Sequence, residues 1–212
     1  MKNKYRHERK YALAKSDLGT FIASLYLNNF TEIYTPRIIN NIYYDNLSNK
    51  SLNDNIEGYS NRLKARIRWY DDNFMDSNLE LKLKKSDANR KEVILLKNFS
   101  LDRIEFDENL FNENLDLYFT HNLNEYFPVL QNKYYRYYFI SACSKIRITI
   151  DSEIFSKSLI TLSENIDNNL IVEMKYNVND RFLNYHLKQL NLTKNSKYVK
   201  GALSTNNYNN TY

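Results

Sequence analysis

The chain reads as a mainly-β member of the α+β class: an antiparallel sheet or barrel with a few helices packed outside it. Three observations predict this. Runs of β-branched and aromatic residues with period-two alternation recur along the 212 residues. Only three stretches carry a helical period. Hydrophobic residues make up 42% of the chain and aromatics 15%, which supplies one ordinary core for one domain and argues against disorder.

The elements follow in order. Residues 4–13 form the first strand. Ser16 or Asp17 caps a helix to about Asn28, with Leu18, Phe21, Ile22, Leu25 and Tyr26 on its apolar stripe. Pro36 breaks the pattern, and Ile38–Tyr44 is a strand ended by Asp45-Asn46. An Asn/Ser/Asp loop covers 46–58. Strands follow at Arg62–Tyr70, Asn78–Lys84 and Lys91–Lys97, then a helical stretch at Asp102–Leu123 with a break before Pro128. Strands return at Lys133–Ser141, Lys145–Asp151 and Leu170–Tyr176, and Arg181–Leu190 is helical. No repeat of 20–50 residues and no interdomain linker is visible. The domain is expected to span 1–204, with 205–212 as a disordered tail.

Composition excludes several chemistries. The three glycines (Gly19, Gly58, Gly201) are far apart, so no glycine-rich loop can cradle phosphate and side chains must do it. A single cysteine, Cys143, rules out an intrachain disulfide and multi-cysteine metal sites. His7, His121 and His186 lack HxH or HExxH spacing. The N-terminus has no apolar signal region, and no apolar run is long enough to span a bilayer, so the expected location is cytoplasmic.

The strand faces carry the functional signal. In Arg62–Tyr70 one face is Arg62, Lys64, Arg66, Arg68 and Tyr70, and the other is Leu63, Ala65, Ile67 and Trp69. Glu80, Lys82 and Lys84 oppose Leu79, Leu81 and Leu83. Lys145, Arg147, Thr149 and Asp151 oppose Ile146, Ile148 and Ile150. The first strand sets Arg6, Glu8 and Lys10 together, and the last sets Glu173 beside Lys175. With Arg136 added, these stripes hold twelve bases and four acids, against 30 and 25 in the whole chain. A half-solvated sheet also alternates, but it usually mixes signs, because like charges on neighbouring strands repel. Sparse carboxylates in a field of Arg and Lys suit a metal-bound polyanion: the bases neutralise phosphate oxygens, and the acids hold a hard divalent cation.

Seven segments carry a family resemblance: RHERKY at 6–11, RLKARIRWY at 62–70, LELKLKK at 79–85, KYYRYYF at 133–139, KIRITID at 145–151, IVEMKY at 171–176 and KNSKY at 194–198. In this order they resemble the VTC (vacuolar transporter chaperone) domain of the triphosphate tunnel metalloenzymes, the CYTH-like superfamily. The resemblance covers residues 4–201. It implies an eight-stranded antiparallel β-barrel tunnel with a charged lumen and helices outside. It also implies synthesis of inorganic polyphosphate from the γ-phosphoryl group of ATP, with Mn2+ or Mg2+.

Carried over by position, the resemblance assigns catalytic roles to Lys10, Arg66, Arg68, Lys82, Arg136, Arg147 and Lys197. Substrate contacts fall to Tyr134, Lys175, Lys194 and Ser196, and cation binding to Glu173 and Glu8. Many tunnel enzymes open with ExExK, whereas this chain has Arg6-His7-Glu8-Arg9-Lys10. The first glutamate is absent, which fits the VTC branch and weakens a two-metal site. The implied partners are ATP or another triphosphate with polyphosphate or pyrophosphate. No specific nucleic acid and no membrane segment is expected, and any regulation or translocation would come from a separate membrane or regulatory protein. No protein nucleophile is needed, because phosphoryl transfer is mostly in-line positioning and charge stabilisation.

Other residues are expected to be passive: Trp69 in the core, His7 facing away from the charged stripe, Cys143 in a small-residue turn, and Asp71-Asp72 in a turn. Two other function classes share the sequence features. A triphosphatase on the same fold would use water as acceptor. A non-catalytic binder of polyphosphate or single-stranded nucleic acid would use a basic, tyrosine-rich surface and show strong salt dependence without a metal.

Overall fold

The structure is a computed structural model that describes residues 6–86, 88–96, 126–177, 193 and 196–205. Nine strands are present among them: β1 (Arg6–Ala14), β2 (Phe30–Asp45), β3 (Arg62–Tyr70), β4 (Asn73–Lys85), β5 (Ala88–Leu95), β6 (Phe127–Ser141), β7 (Arg147–Ser158), β8 (Glu164–Asp167) and β9 (Asn169–Asn177). Three helices accompany them: α1 (Leu18–Leu27), α2 (Lys50–Ile56) and α3 (Lys197–Ser204). The strands form one sheet in the order β1-β9-β7-β6-β2-β3-β4-β5, with β8 paired to β7. The mainly-β antiparallel architecture is as expected. The order is linear, with β1 and β5 at its ends, so barrel closure is not part of the strand pairing described.

The chain divides into two compact units that interleave in sequence. The first takes residues 1–39, 133–155 and 166–196. Its core packs α1 through Phe21 and Leu25 against Ile148, Ile150, Val172 and Phe139 of the sheet. Burying each such side chain contributes roughly 1.5–3 kcal/mol. The second takes residues 40–132, 156–165 and 197–212. The predicted alternation of β3 and β4 is its core: Leu63, Ala65, Ile67, Trp69, Leu79, Leu81 and Leu83 are all buried on one face. A second cluster joins α2 and α3 to β6 through Leu52, Tyr198, Ala202, Val129 and Leu130.

Several elements differ from expectation for identifiable reasons. β2 runs through Pro36, and β6 begins before Pro128. Proline is tolerated where the ladder does not need its N–H, at a strand's start or an unpaired stretch. The 46–58 segment contains α2, which has almost no apolar stripe. Its first turn is organised instead by Asp45, whose carboxylate accepts the Ser51 and Leu52 N–H groups, and by Asn46, whose side-chain oxygen accepts from Lys50 N–H. Thr205, expected to open a disordered tail, is 1% exposed. Its carbonyl accepts bonds from the Thr161 and Ser163 hydroxyls. The predicted helices at 102–123 and 181–190 lie outside the described residues, as do 206–212.

Candidate functional site

Side chains two apart on a strand share a face, and cross-strand register decides which of them meet. In the second unit the register aligns Lys64, Lys82 and Lys91 in one row across β3, β4 and β5. The adjacent row is Arg66, Glu80 and Val93; Arg68 with Asn78 lies beyond it, and Arg62 with Lys84 lies on the far side of the lysine row. This one face therefore holds seven cations (Arg62, Lys64, Arg66, Arg68, Lys82, Lys84, Lys91) and one carboxylate.

Glu80 is the hub of that face. Its carboxylate accepts Arg66 Nε at 2.8 Å and Nη2 at 2.5 Å, and Lys91 Nζ at 2.8 Å, with Arg68 Nη1 at 3.8 Å. Burial pushes the Glu80 carboxyl up, but the charges of Arg66 and Arg68 and the Lys91 and Arg66 hydrogen bonds more than reverse it, to about 2. Glu80 is thus a counter-ion held by three bases. Arg68, itself 7% exposed, also donates from Nε to Asn41 Oδ1 at 2.9 Å. Arg66 donates from Nη1 to the Tyr43 hydroxyl at 3.3 Å. Lys82 is exposed on this face.

The first unit is built differently. Across β1, β9 and β7 the register gives a row Glu8, Lys175, Arg147 and a row Lys10, Glu173, Thr149, so charges alternate both along and across β1 and β9. Lys10 Nζ lies 3.2 Å from Glu8 and 3.6 Å from Glu173; Lys175 Nζ lies 2.6 Å from Glu173 and 3.9 Å from Glu8. Burial pushes the Glu173 carboxyl up, yet Lys10, Lys175 and Arg136 bring it down to about 2. Arg136 makes a bidentate pair with fully buried Asp151, Nε to Oδ1 at 2.5 Å and Nη2 to Oδ2 at 2.8 Å. That pair uses two of its five N–H donors. Its guanidinium lies 5.1 Å from the ring centre of Tyr134, which is 2% exposed.

The residues singled out from the sequence separate accordingly. Lys10, Glu8, Glu173, Lys175, Arg136, Arg147 and Tyr134 fall in the first unit; Arg66, Arg68 and Lys82 share one face of the second. Ser196 closes the first unit and Lys197 opens α3 in the second, both half-buried. Lys194 lies outside the described residues. Trp69 is in the core, and His7 is exposed with its ring 5.2 Å from that of Tyr176. Sequence reasoning missed Lys91, Tyr43 and Asp45 as site residues, and placed Thr149 on the charged stripe without giving it a role. The first could have been found by extending the even-numbered β4 stripe onto its hairpin partner.

The donor set tests whether a divalent cation suits this chain. Glu8 and Glu173 share two ammonium groups and offer hard carboxylate oxygens. Thr149, directly across from Glu173, has a buried hydroxyl oxygen with no hydrogen-bond partner among the described residues. No cluster of three His, Cys, Asp or Glu side chains occurs among the described residues. Such a site fits a magnesium-like ion held by one or two carboxylates together with substrate phosphates, and not an all-protein cage.

Comparison with known proteins bears on the fold and the family. No curated protein matches the chain in sequence. Its fold is similar to a Hippeastrum protein described as a candidate adenylyl cyclase with a dominant triphosphatase activity. The TM-score is 0.61 at 13% identity, over 95% of this chain and 97% of that one. It is also similar to a protein from Bacillus halodurans described as a candidate adenylate cyclase, with TM-score 0.52 at 12% identity, over 95% of this chain and 87% of that one. No described helix is long and apolar enough to cross a membrane. The VTC domain model matches residues 4–206, nearly the whole chain, and the protein belongs to the VTC domain family.

Proposed function

We propose that this domain transfers the γ-phosphoryl group of ATP to the terminal oxygen of an inorganic polyphosphate chain or a pyrophosphate primer. The observation that carries the reading is the β3–β5 face, where seven cations surround one carboxylate. Like charges set opposite one another on neighbouring strands destabilise a sheet, and a polyanion laid along them reverses the sign of that interaction. Family membership supports the same substrate class.

Each residue then has a task. Arg66, Arg68, Arg136 and Arg147 hold phosphate oxygens through forked hydrogen bonds, while Lys10, Lys82 and Lys197 act as point charges. Lys175, Tyr134, Lys194 and Ser196 complete the phosphate contacts. Glu173 and Glu8 would hold the cation, Mn2+ or Mg2+, which would supply charge neutralisation for the phosphate groups. An acceptor oxygen forms a bond to the γ-phosphorus as the bond to the β-phosphate oxygen breaks, and ADP leaves. The side chains orient and neutralise, and none need become covalently attached.

Hydrolysis of a triphosphate is the second reading, supported by the triphosphatase activity ascribed to the Hippeastrum protein of the same fold. Incubation with ATP and manganese, resolved by product length on a polyphosphate-stained gel beside Glu173→Ala, separates the two. Long chains from the wild type alone support transfer, and free phosphate without chains supports hydrolysis. No turnover across primers and metals overturns both and leaves a binding device.

A further inference from the structure

Asp45 ends β2 and is completely buried, and four donors converge on it. Its Oδ1 accepts from Asn46 N–H at 2.9 Å and Ser51 N–H at 2.8 Å, and its Oδ2 from Leu52 N–H at 2.9 Å and the Tyr198 hydroxyl at 2.5 Å. Tyr198 is the residue after Lys197 and belongs to α3. Its ring stacks on that of Tyr43, with centroids 5.0 Å apart and planes 25° apart. The Tyr43 hydroxyl in turn accepts the Arg66 Nη1 bond, and the Arg66 guanidinium lies 5.9 Å from the Tyr43 ring centre. One turn further along α3, a side chain at Gly201 would meet Ser156 Oγ at 2.8 Å and Leu130 Cδ2 at 2.9 Å, so the helix is seated without slack.

From these contacts we infer that Tyr43 and Tyr198, anchored on Asp45, are positioning residues: one sets the plane of the Arg66 guanidinium, the other the start of α3 that carries Lys197. The inference rests on the reading of Arg66 and Lys197 as phosphate-binding groups.

Chemistry explains why packing alone does not account for these hydroxyls. The surrounding cluster is apolar (Leu52, Val129, Leu130, Ala202), and phenylalanine at either position would fill it without burying a polar group. A buried carboxylate costs desolvation that an apolar core avoids, so such networks serve geometry more than stability. Glu80 fixes one edge of the Arg66 guanidinium through Nε and Nη2, and the Tyr43 hydroxyl fixes Nη1. With both in place the plane cannot rotate about its long side chain.

The test uses the full chain, with inorganic tripolyphosphate as calorimetric probe and ATP kinetics alongside. Tyr43→Phe keeps the ring and its stacking. It should weaken tripolyphosphate binding by about tenfold, as expected for a lost hydrogen bond to a charged group, while the melting temperature stays near that of the wild type. Arg66→Lys should remove most of that sensitivity, so that Tyr43→Phe adds little in its presence. Tyr198→Phe should lower kcat together with tripolyphosphate affinity and leave its stacking on Tyr43. Tyr43→Phe effects that simply add to Arg66→Lys, or unchanged binding in both phenylalanine variants, overturn the inference and leave the phosphate reading standing. A wild type that binds no tripolyphosphate overturns the reading and the inference together.

Discussion

The two units present charged sheet faces of opposite design. On β1 and β9 acids and bases alternate, so Glu8 and Glu173 each have lysines on two sides. On β3, β4 and β5 the described cations line up row after row around Glu80. The first arrangement satisfies itself and releases oxygen ligands only when ammonium groups move aside. The second gathers more bases than acids among its described residues. Glu173 and Glu80 make the contrast concrete: both are held at about 2, one between lysines, the other mainly by arginines. A carboxylate paired with single-point lysine ammonium groups suits exchange with a cation; one held by arginines suits a fixed scaffold.

The largest expected effect tests both units at once. Each carboxyl is depressed from 4.5 to about 2, so its stabilisation is present above pH 4.5 and is lost as pH falls through the folded value near 2. At one pH unit per 1.36 kcal/mol, each contributes about 3 kcal/mol. Denaturant midpoints measured between pH 5 and 2 should fall steeply, and Glu80→Gln or Glu173→Gln should flatten the slope. An unchanged slope in both variants would contradict the pairing described.

Asp151→Asn should destabilise the protein by about 3 kcal/mol, because it leaves Arg136 without its buried counter-ion. Equilibrium unfolding measures this, and a change within 0.5 kcal/mol, the ordinary spread of surface substitutions, breaks the assignment. Glu173→Gln should cut manganese-dependent turnover by about 100-fold while tripolyphosphate still binds without metal. Loss of metal-free binding as well would erase the distinction between the two faces. Lys82→Ala should be mildest, raising the KM for ATP roughly threefold and flattening its salt dependence. Arg66→Ala also unsettles Glu80, so Arg66→Lys is the cleaner probe of the fork.

Much of this was legible before the fold was known. The split of Arg62–Tyr70 into a basic and an apolar face is a period-two fact, and Leu63, Ala65, Ile67 and Trp69 are buried as alternation requires. The pairing of Lys10 with Glu173 was legible only as two motifs far apart in the chain. Their meeting depends on the β1–β9 register. Glu80 illustrates the limit: its ExK setting with Lys82 gave no sign that Arg66, Arg68 and Lys91 converge on its carboxylate. Tyr43 and Tyr198 carried no signal, because a buried tyrosine looks the same in sequence whatever its hydroxyl finds.

By itself the sequence determined the class of fold, the side of each strand that meets the core, and the surplus of bases on the charged strand faces. These follow from local periodicity and residue type, which the backbone geometry of a strand turns into faces without reference to anything distant. Only the tertiary structure decided which charges neighbour which, that Asp45 and not an apolar stripe organises α2, and that Tyr198 ties α3 to β2 across 153 positions of sequence. Those outcomes depend on register and on long-range burial, where a shift of one residue would turn every side chain of a strand to its other face.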